Sequence, residues 1–186
     1  MKRSLSLIVL LLMLSVVLRA QDYKHGISIS CGTKLSVTNL YDGFRYYHYE
    51  GGDPFYKNNN CIVPCSVEYY LRPFHFWSFG LTGVFSYSEC DIRNSGQKGL
   101  VSHCTLLAGA KCHWLNSNIV NLFSKLSVGA SLCHQNKNMG GESYVLPNFQ
   151  LSLIGMEVMF TRHFGIFAEA GAGEQGIVHG GVTLHL

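Results

Sequence analysis

Past residue 20 the chain alternates between apolar and polar side chains in segment after segment. A period of two marks a β-strand with unlike faces. The pattern predicts eight strands, at about 24–32, 61–72, 74–88, 99–114, 118–134, 146–160, 164–173 and 176–186. In the fifth, Val120, Leu122, Leu126, Val128, Ala130 and Leu132 share one side; Asn121, Lys125, Ser127, Gly129 and Ser131 share the other. The second sets Val63, Val67, Tyr69 and Leu71 against Ser66, Glu68, Tyr70 and Arg72. The fourth sets Leu100, Leu106, Ala108, Ala110 and Trp114 against His103, Thr105, Lys111 and His113. In the last, Val178, Val182, Leu184 and Leu186 oppose His179, Thr183 and His185.

The predicted connections alternate in length. Short corners fall at Arg72-Pro73, Leu115-Asn116-Ser117 and Thr161-Arg162-His163, and longer segments at roughly 33–60, 89–98 and 135–145. Only the last, at Glu174-Gln175, breaks the rule by being short. Tight turns at one end and long loops at the other suit an up-and-down transmembrane barrel.

Charge decides which face meets which medium. Beyond residue 60 the charged strand residues are Glu68, Arg72, Lys111, Lys125, Glu157 and Glu169, and all fall on the polar face. Glu157 complies only if a bulge near Leu153-Ile154 shifts the phase. A basic side chain facing lipid at mid-bilayer costs about 2–4 kcal/mol. The polar face is therefore expected to line a lumen, with Glu169 paired to Arg72, Lys111 or Lys125 and three cations balancing three anions. On the apolar face Tyr69, Trp77, Trp114, Phe160 and Phe164 cluster beside the tight turns, while Phe85, Tyr87 and Phe149 lie toward the long loops. Two such belts fit the two interfaces of a bilayer, where aromatic rings settle. A soluble lipocalin-like barrel would reverse the faces, and a sandwich would bury the same rings in its core.

Composition sharpens the choice. Only 13% of the 186 residues are charged, against about 25% in a typical soluble domain. Lys2 and Arg3, the run LSLIVLLLMLSVVL from Leu5 to Leu18, and a small-residue site after Ala20 together read as a cleaved signal peptide, 1–20, ahead of one barrel domain, 21–186. The run of 14 residues is short of the roughly 20 a spanning helix needs. Cleavage removes Lys2, Arg3 and Arg19, taking 14 basic residues to 11 against 11 acids. A near-neutral mature chain gives no reason to expect nucleic acid. With no later apolar stretch of spanning length, membrane crossing falls to the strands. The final strand is expected to close the ring against the first.

The residues that close the chain, FQLSLIGMEVMF followed by FGIFAEAGAGEQGIVHGGVTLHL, resemble the last strands of small eight-stranded outer-membrane barrels, the OmpX-like proteins and relatives of the OmpA transmembrane domain. Gly155, Glu157, Phe167, Glu169, Gly171, Gly173 and Gly176 carry the likeness, which spans roughly 60–186. It implies an all-β, eight-stranded antiparallel up-and-down barrel in the outer membrane of a Gram-negative bacterium, with the tight turns on the periplasmic side. It also implies contact with membrane lipid and lipopolysaccharide, and with the assembly machinery that reads the C-terminal strand. Leu186 departs from the aromatic residue with which family members usually end. No catalytic residue carries over, and no cofactor or metal is implied.

Direct signs of chemistry are few. The 7 cysteines are an odd number; Cys31, Cys61, Cys65, Cys104 and Cys112 fall on the apolar face, where Cys31 could reach Cys61. His103, His113, His179 and His185 point to the lumen, and His75 outward beside a turn. The spacing of Gly171, Gly173 and Gly176 spells a dinucleotide fingerprint without the helix it needs. The segment TKLSVTNLYDGFRYYHYEGGDPFYKNNN, rich in Tyr, Gly and Asn, has the composition of an adaptable contact loop. The leading expectation is a non-enzymatic outer-membrane barrel with a filled lumen, its loops serving envelope integrity or surface interaction. An outer-membrane lipid-modifying enzyme, an acyl transferase or deacylase, is the alternative, built on Glu89, Asp91, His134 and Ser143. A secreted soluble barrel binding an apolar ligand is the third reading.

Overall fold

A computed structural model of the chain describes residues 24–33, 56–61, 63–92, 98–136 and 141–186. The predicted signal peptide and most of the first long connection lie outside these residues. Nine strand segments follow in order: β1 (His25–Gly32), β2 (Tyr56–Cys61), β3 (Cys65–Phe74), β4 (Trp77–Ile92), β5 (Lys98–Asn116), β6 (Val120–Gln135), β7 (Ser143–Met159), β8 (Phe164–Gly173) and β9 (Val178–His185). No helix among the described residues is long and apolar enough to cross a membrane.

Eight of the segments form a closed antiparallel ring. β1 pairs with β3, the pairing then steps from β3 through to β9, and β9 returns to β1 with Ile27 opposite Leu184 and Gly32 opposite His179. β2 stands apart from the ring count. It pairs only with the outer part of β4, Cys61 opposite Ser88 and Tyr56 opposite Ile92, extending that side of the wall past the start of β3. The expected second strand is thus two pieces, divided near Pro64, which has no N–H to give a ladder.

The wall separates the two kinds of side chain. Along β3 and β8 exposed and buried positions alternate residue by residue. Outside stand Val67, Leu81, Leu106, Leu126, Val128 and Val182, all exposed. Inside are the charged and hydroxylated residues, with Tyr70, Leu107, Phe123 and Phe167 filling space between them. Closure satisfies every strand edge of the ring, which an open sheet cannot do.

The bulge demanded by Glu157 is present. The β7–β8 register shifts between Ser152 and Ile154, so Leu153 and Ile154 both face outward and Glu157 returns inside. Ser124 Oγ donates to the Leu153 carbonyl at 2.6 Å, meeting the polar group that the extra residue displaces. One corner sits elsewhere than expected. β3 runs through Arg72 and Pro73, and the turn falls at His75-Phe76. Proline is a turn signal when read locally, but Pro73 here occupies a break in the β3–β4 register between Leu71 and Phe74. A position that donates no ladder bond tolerates it.

Candidate functional site

The lumen is the most densely organised region. At its middle Lys125 Nζ lies 2.9 Å from Glu169 Oε2 and 3.5 Å from Glu68 Oε2. Lys111 Nζ reaches the same Glu68 oxygen at 3.1 Å and sits over the rings of Tyr70 and Phe123, at 4.5 and 5.0 Å from their centroids. Ser152 Oγ donates to Glu169 at 2.5 Å. His179 Nε2 stands 3.1 Å from the same carboxylate, in contact but outside hydrogen-bond alignment. Charges this deep persist only when paired, and alternating acids and bases from β3, β5, β6 and β8 accomplish that.

Toward the tight turns a second group forms. Glu157 accepts from Asn121 Nδ2 at 2.8 Å and contacts His185 Nε2 at 3.0 Å. Arg72 donates to Asn116 Oδ1 at 3.1 Å and also to the His75 carbonyl. His113 shares a hydrogen bond with Ser78 at 2.6 Å. Of the three cations offered to Glu169 by the sequence, the structure gives it Lys125; Lys111 takes Glu68, and Arg72 holds the end of the lumen.

The balance of three against three omits a residue. Glu174, marked by the sequence only as part of the short last connection, is fully buried, and Gln175 with it. The β8–β9 turn folds inward instead of outward. Gln175 accepts from Lys125 Nζ at 3.0 Å, donates through Nε2 to Ser66 at 2.7 Å, and donates through its backbone N–H to Gln150 Oε1 at 2.8 Å. Glu174 accepts from Asn148 at 2.8 Å and Thr105 at 3.3 Å. Gly173 and Gly176 permit the reversal, with φ of 149° and 90°, a region L side chains rarely enter. Two of the three glycines that spell a nucleotide motif therefore serve this turn. A single hint was legible: a turn too short for the loop end of such a barrel.

The five expected belt aromatics Tyr69, Trp77, Trp114, Phe160 and Phe164 are exposed on the outer face, near the ends of β3, β5 and β7 or the starts of β4 and β8. Cys31 faces Cys65 across the β1–β3 ladder, Sγ to Sγ 3.0 Å, not Cys61, which belongs to the separate segment β2. Cys133, which the sequence reading left unassigned, is buried in the lumen against His103 Nδ1 at 3.2 Å. On the outside near the long-loop end, His134 Nδ1 and Ser143 Oγ are 2.8 Å apart, while Glu89 stands on β4 with β5 between it and His134. Asp91 pairs in register with Lys98 at the end of β4. Among the described residues no group of three or more His, Cys, Asp or Glu is placed to hold a metal.

No protein-family model matches the chain, and no curated protein matches it. Solved structures of Ail, the attachment invasion locus protein of Yersinia pestis, are similar to it. One, in complex with the heparin analogue sucrose octasulfate, shares 13% identity with a TM-score of 0.43, covering 87% of this chain and 96% of that one. Another shares 15% identity with a TM-score of 0.42, covering 87% and 93%. The architecture stands on this chain's own ladder: a closed, all-antiparallel ring of eight strands, the plan of the small outer-membrane barrels that its final strands resemble.

Proposed function

We propose that the protein is a non-enzymatic integral β-barrel of a Gram-negative outer membrane, with a plugged lumen and with loops that serve surface interaction or envelope integrity. One observation carries this reading. Large apolar side chains cover the outside of the ring, whereas Glu68, Arg72, Lys111, Lys125, Glu157 and Glu169 are at most 6% exposed within it. Water on the outside would leave that apolar cover unpaid for by burial; hydrocarbon welcomes it. The exposed set Tyr69, Trp77, Trp114, Phe160 and Phe164 then forms an interfacial belt. Membrane lipid and lipopolysaccharide are its surroundings, and the last strand is what assembly machinery would engage. No cofactor and no nucleic acid enter this reading. Fractionation tests it: the protein is expected with the outer membrane, released by detergent, and shifted in gel mobility by boiling. Recovery in the soluble periplasm without detergent supports the ligand-binding soluble barrel instead. In planar bilayers the folded protein is expected to give no stable conductance steps.

The contact between His134 and Ser143 favours a second reading, acyl transfer or hydrolysis on lipid at the rim. A serine beside a histidine is the start of a nucleophile–base pair, and both are exposed on the outside wall. The carboxylate considered for orienting the histidine, Glu89, is a strand too far away. Reconstituted protein is expected to release no acyl chain from labelled lipid A or phospholipid. Release that vanishes in Ser143→Ala would make the protein an enzyme.

A further inference from the structure

We propose that Cys31 and Cys65 are a disulfide site, which staples the two ends of the 33–64 connection on the outer face of the barrel. Backbone pairing makes the case. Gly32 N–H donates to the Pro64 carbonyl at 2.9 Å, so Gly32 and Pro64 form a hydrogen-bonded rung at the end of the β1–β3 ladder. The next rung, Cys31 opposite Cys65, is then a non-hydrogen-bonded one. In such a rung the Cα atoms stand about 4.5 Å apart and the side chains lean together. Disulfides span Cα separations of roughly 4.4–6.8 Å. The sulfurs already stand 3.0 Å apart, and both residues are exposed.

No other described thiol competes. Cys104 stands on β5 with β4 between it and Cys65, Phe85 lying opposite both, and Cys112 is eight residues further along the strand, roughly 27 Å at 3.4 Å per residue. Cys133 points the opposite way, into the lumen. There is also a mechanical reason for a link here. Pro64 brings no N–H, so the terminal rung holds with one hydrogen bond where two are usual. A covalent bond one residue inward secures an end that the backbone holds weakly.

The chemistry needs an oxidant, a disulfide-bearing thiol oxidoreductase or oxidised glutathione. One cysteine thiolate attacks the carrier disulfide, forming a mixed disulfide and releasing a carrier thiolate. The second thiolate then displaces the remaining carrier sulfur, closing Cys31 to Cys65. Both thiol protons pass to solvent, and two electrons leave with the reduced carrier. The supply of such an oxidant rests on the proposed outer-membrane reading, since exported proteins meet an oxidising compartment. The geometry of the ladder does not.

The test uses the full chain folded in detergent micelles, exposed to oxidised glutathione, then denatured and labelled with a maleimide polymer. Of the 7 cysteines, five are expected to label without reductant and all seven after reduction. The sequence between Cys61 and Cys65 offers no basic or aromatic cleavage point, so variants assign the pair. Cys31→Ser and Cys65→Ser are each expected to label at all six remaining thiols, and Cys61→Ser and Cys90→Ser at four. Seven labels without reductant overturn the proposal. So does protection that survives Cys65→Ser or is lost in Cys61→Ser. Heat-modifiable mobility of each variant shows that the barrel has formed, and location is read separately by fractionation, so a misplaced protein and an absent link are told apart.

Discussion

Arginine at Leu126 is expected to abolish membrane assembly, whereas arginine at Val145 is expected to leave it nearly intact. Both positions are exposed on the outer wall, at 55% and 65%. They differ in depth. Leu126 lies in the middle of β6, opposite Ala110 and Leu151, while Val145 lies near the long-loop end of β7, opposite Leu132. Facing lipid, an arginine costs about 2–4 kcal/mol at the midplane and about 0–1 kcal/mol near an interface. The measurements are the heat-modifiable fraction in isolated outer membranes and, after refolding in lipid vesicles, the unfolding midpoint. Equal losses at the two sites would show that hydrocarbon is not what surrounds the wall. A comparison with Ser127→Arg, natural from alternation alone, confuses two effects. Ser127 is buried, and its side chain packs into the space that the missing Cβ of Gly109 leaves, so overpacking alone would harm that variant.

Removing Lys125 is expected to be the most damaging change inside the lumen. Its ammonium contacts Glu68, Glu169 and Gln175, so Lys125→Met leaves Glu169 with no lysine beside it and strips a donor from the turn plug. Breaking a buried ion pair from one side typically costs about 3–5 kcal/mol, because an uncompensated charge stays behind. Lys125→Met combined with Glu169→Gln is expected to recover part of that loss, since the stranded charge goes with its partner. Urea unfolding of the folded protein in micelles, read by tryptophan fluorescence, measures both. Additive losses in the double variant would show that the two residues do not act as a pair.

Much of this fold is legible in the chain alone. Alternation located every strand of the ring to within a few residues, because a wall between hydrocarbon and a polar lumen leaves no freedom in which face a residue takes. Glu157 even located a bulge, since its charge was out of phase with its neighbours. What stayed hidden depended on contacts between distant segments. Pro73 looked like a corner because turn signals are local, yet the ladder carries it through a register break. Cys61 looks within reach of Cys31 because nothing in the spacing reveals that the second strand divides near Pro64. Glu174 and Gln175 stand out in the sequence only as a connection too short for its end of the barrel. Only the donors waiting on Lys125, Asn148 and Thr105 explain why that turn goes inside, and those come from three other strands. The candidate lumen residues were thus recognisable as a set, while their pairing was not.

The inward β8–β9 turn gives the cylinder spokes as well as a rim. Through Gln175 it ties β3 to β6, and through Glu174 it reaches β5 and β7, so the arc of β8 and β9 is braced to the far side of the hoop across its hollow. A bare hoop under sideways pressure from its surroundings yields by becoming oval; a spoked one keeps its roundness. The roundness of the ring is then set by the turn within it, whatever the length and chemistry of the connections between its strands.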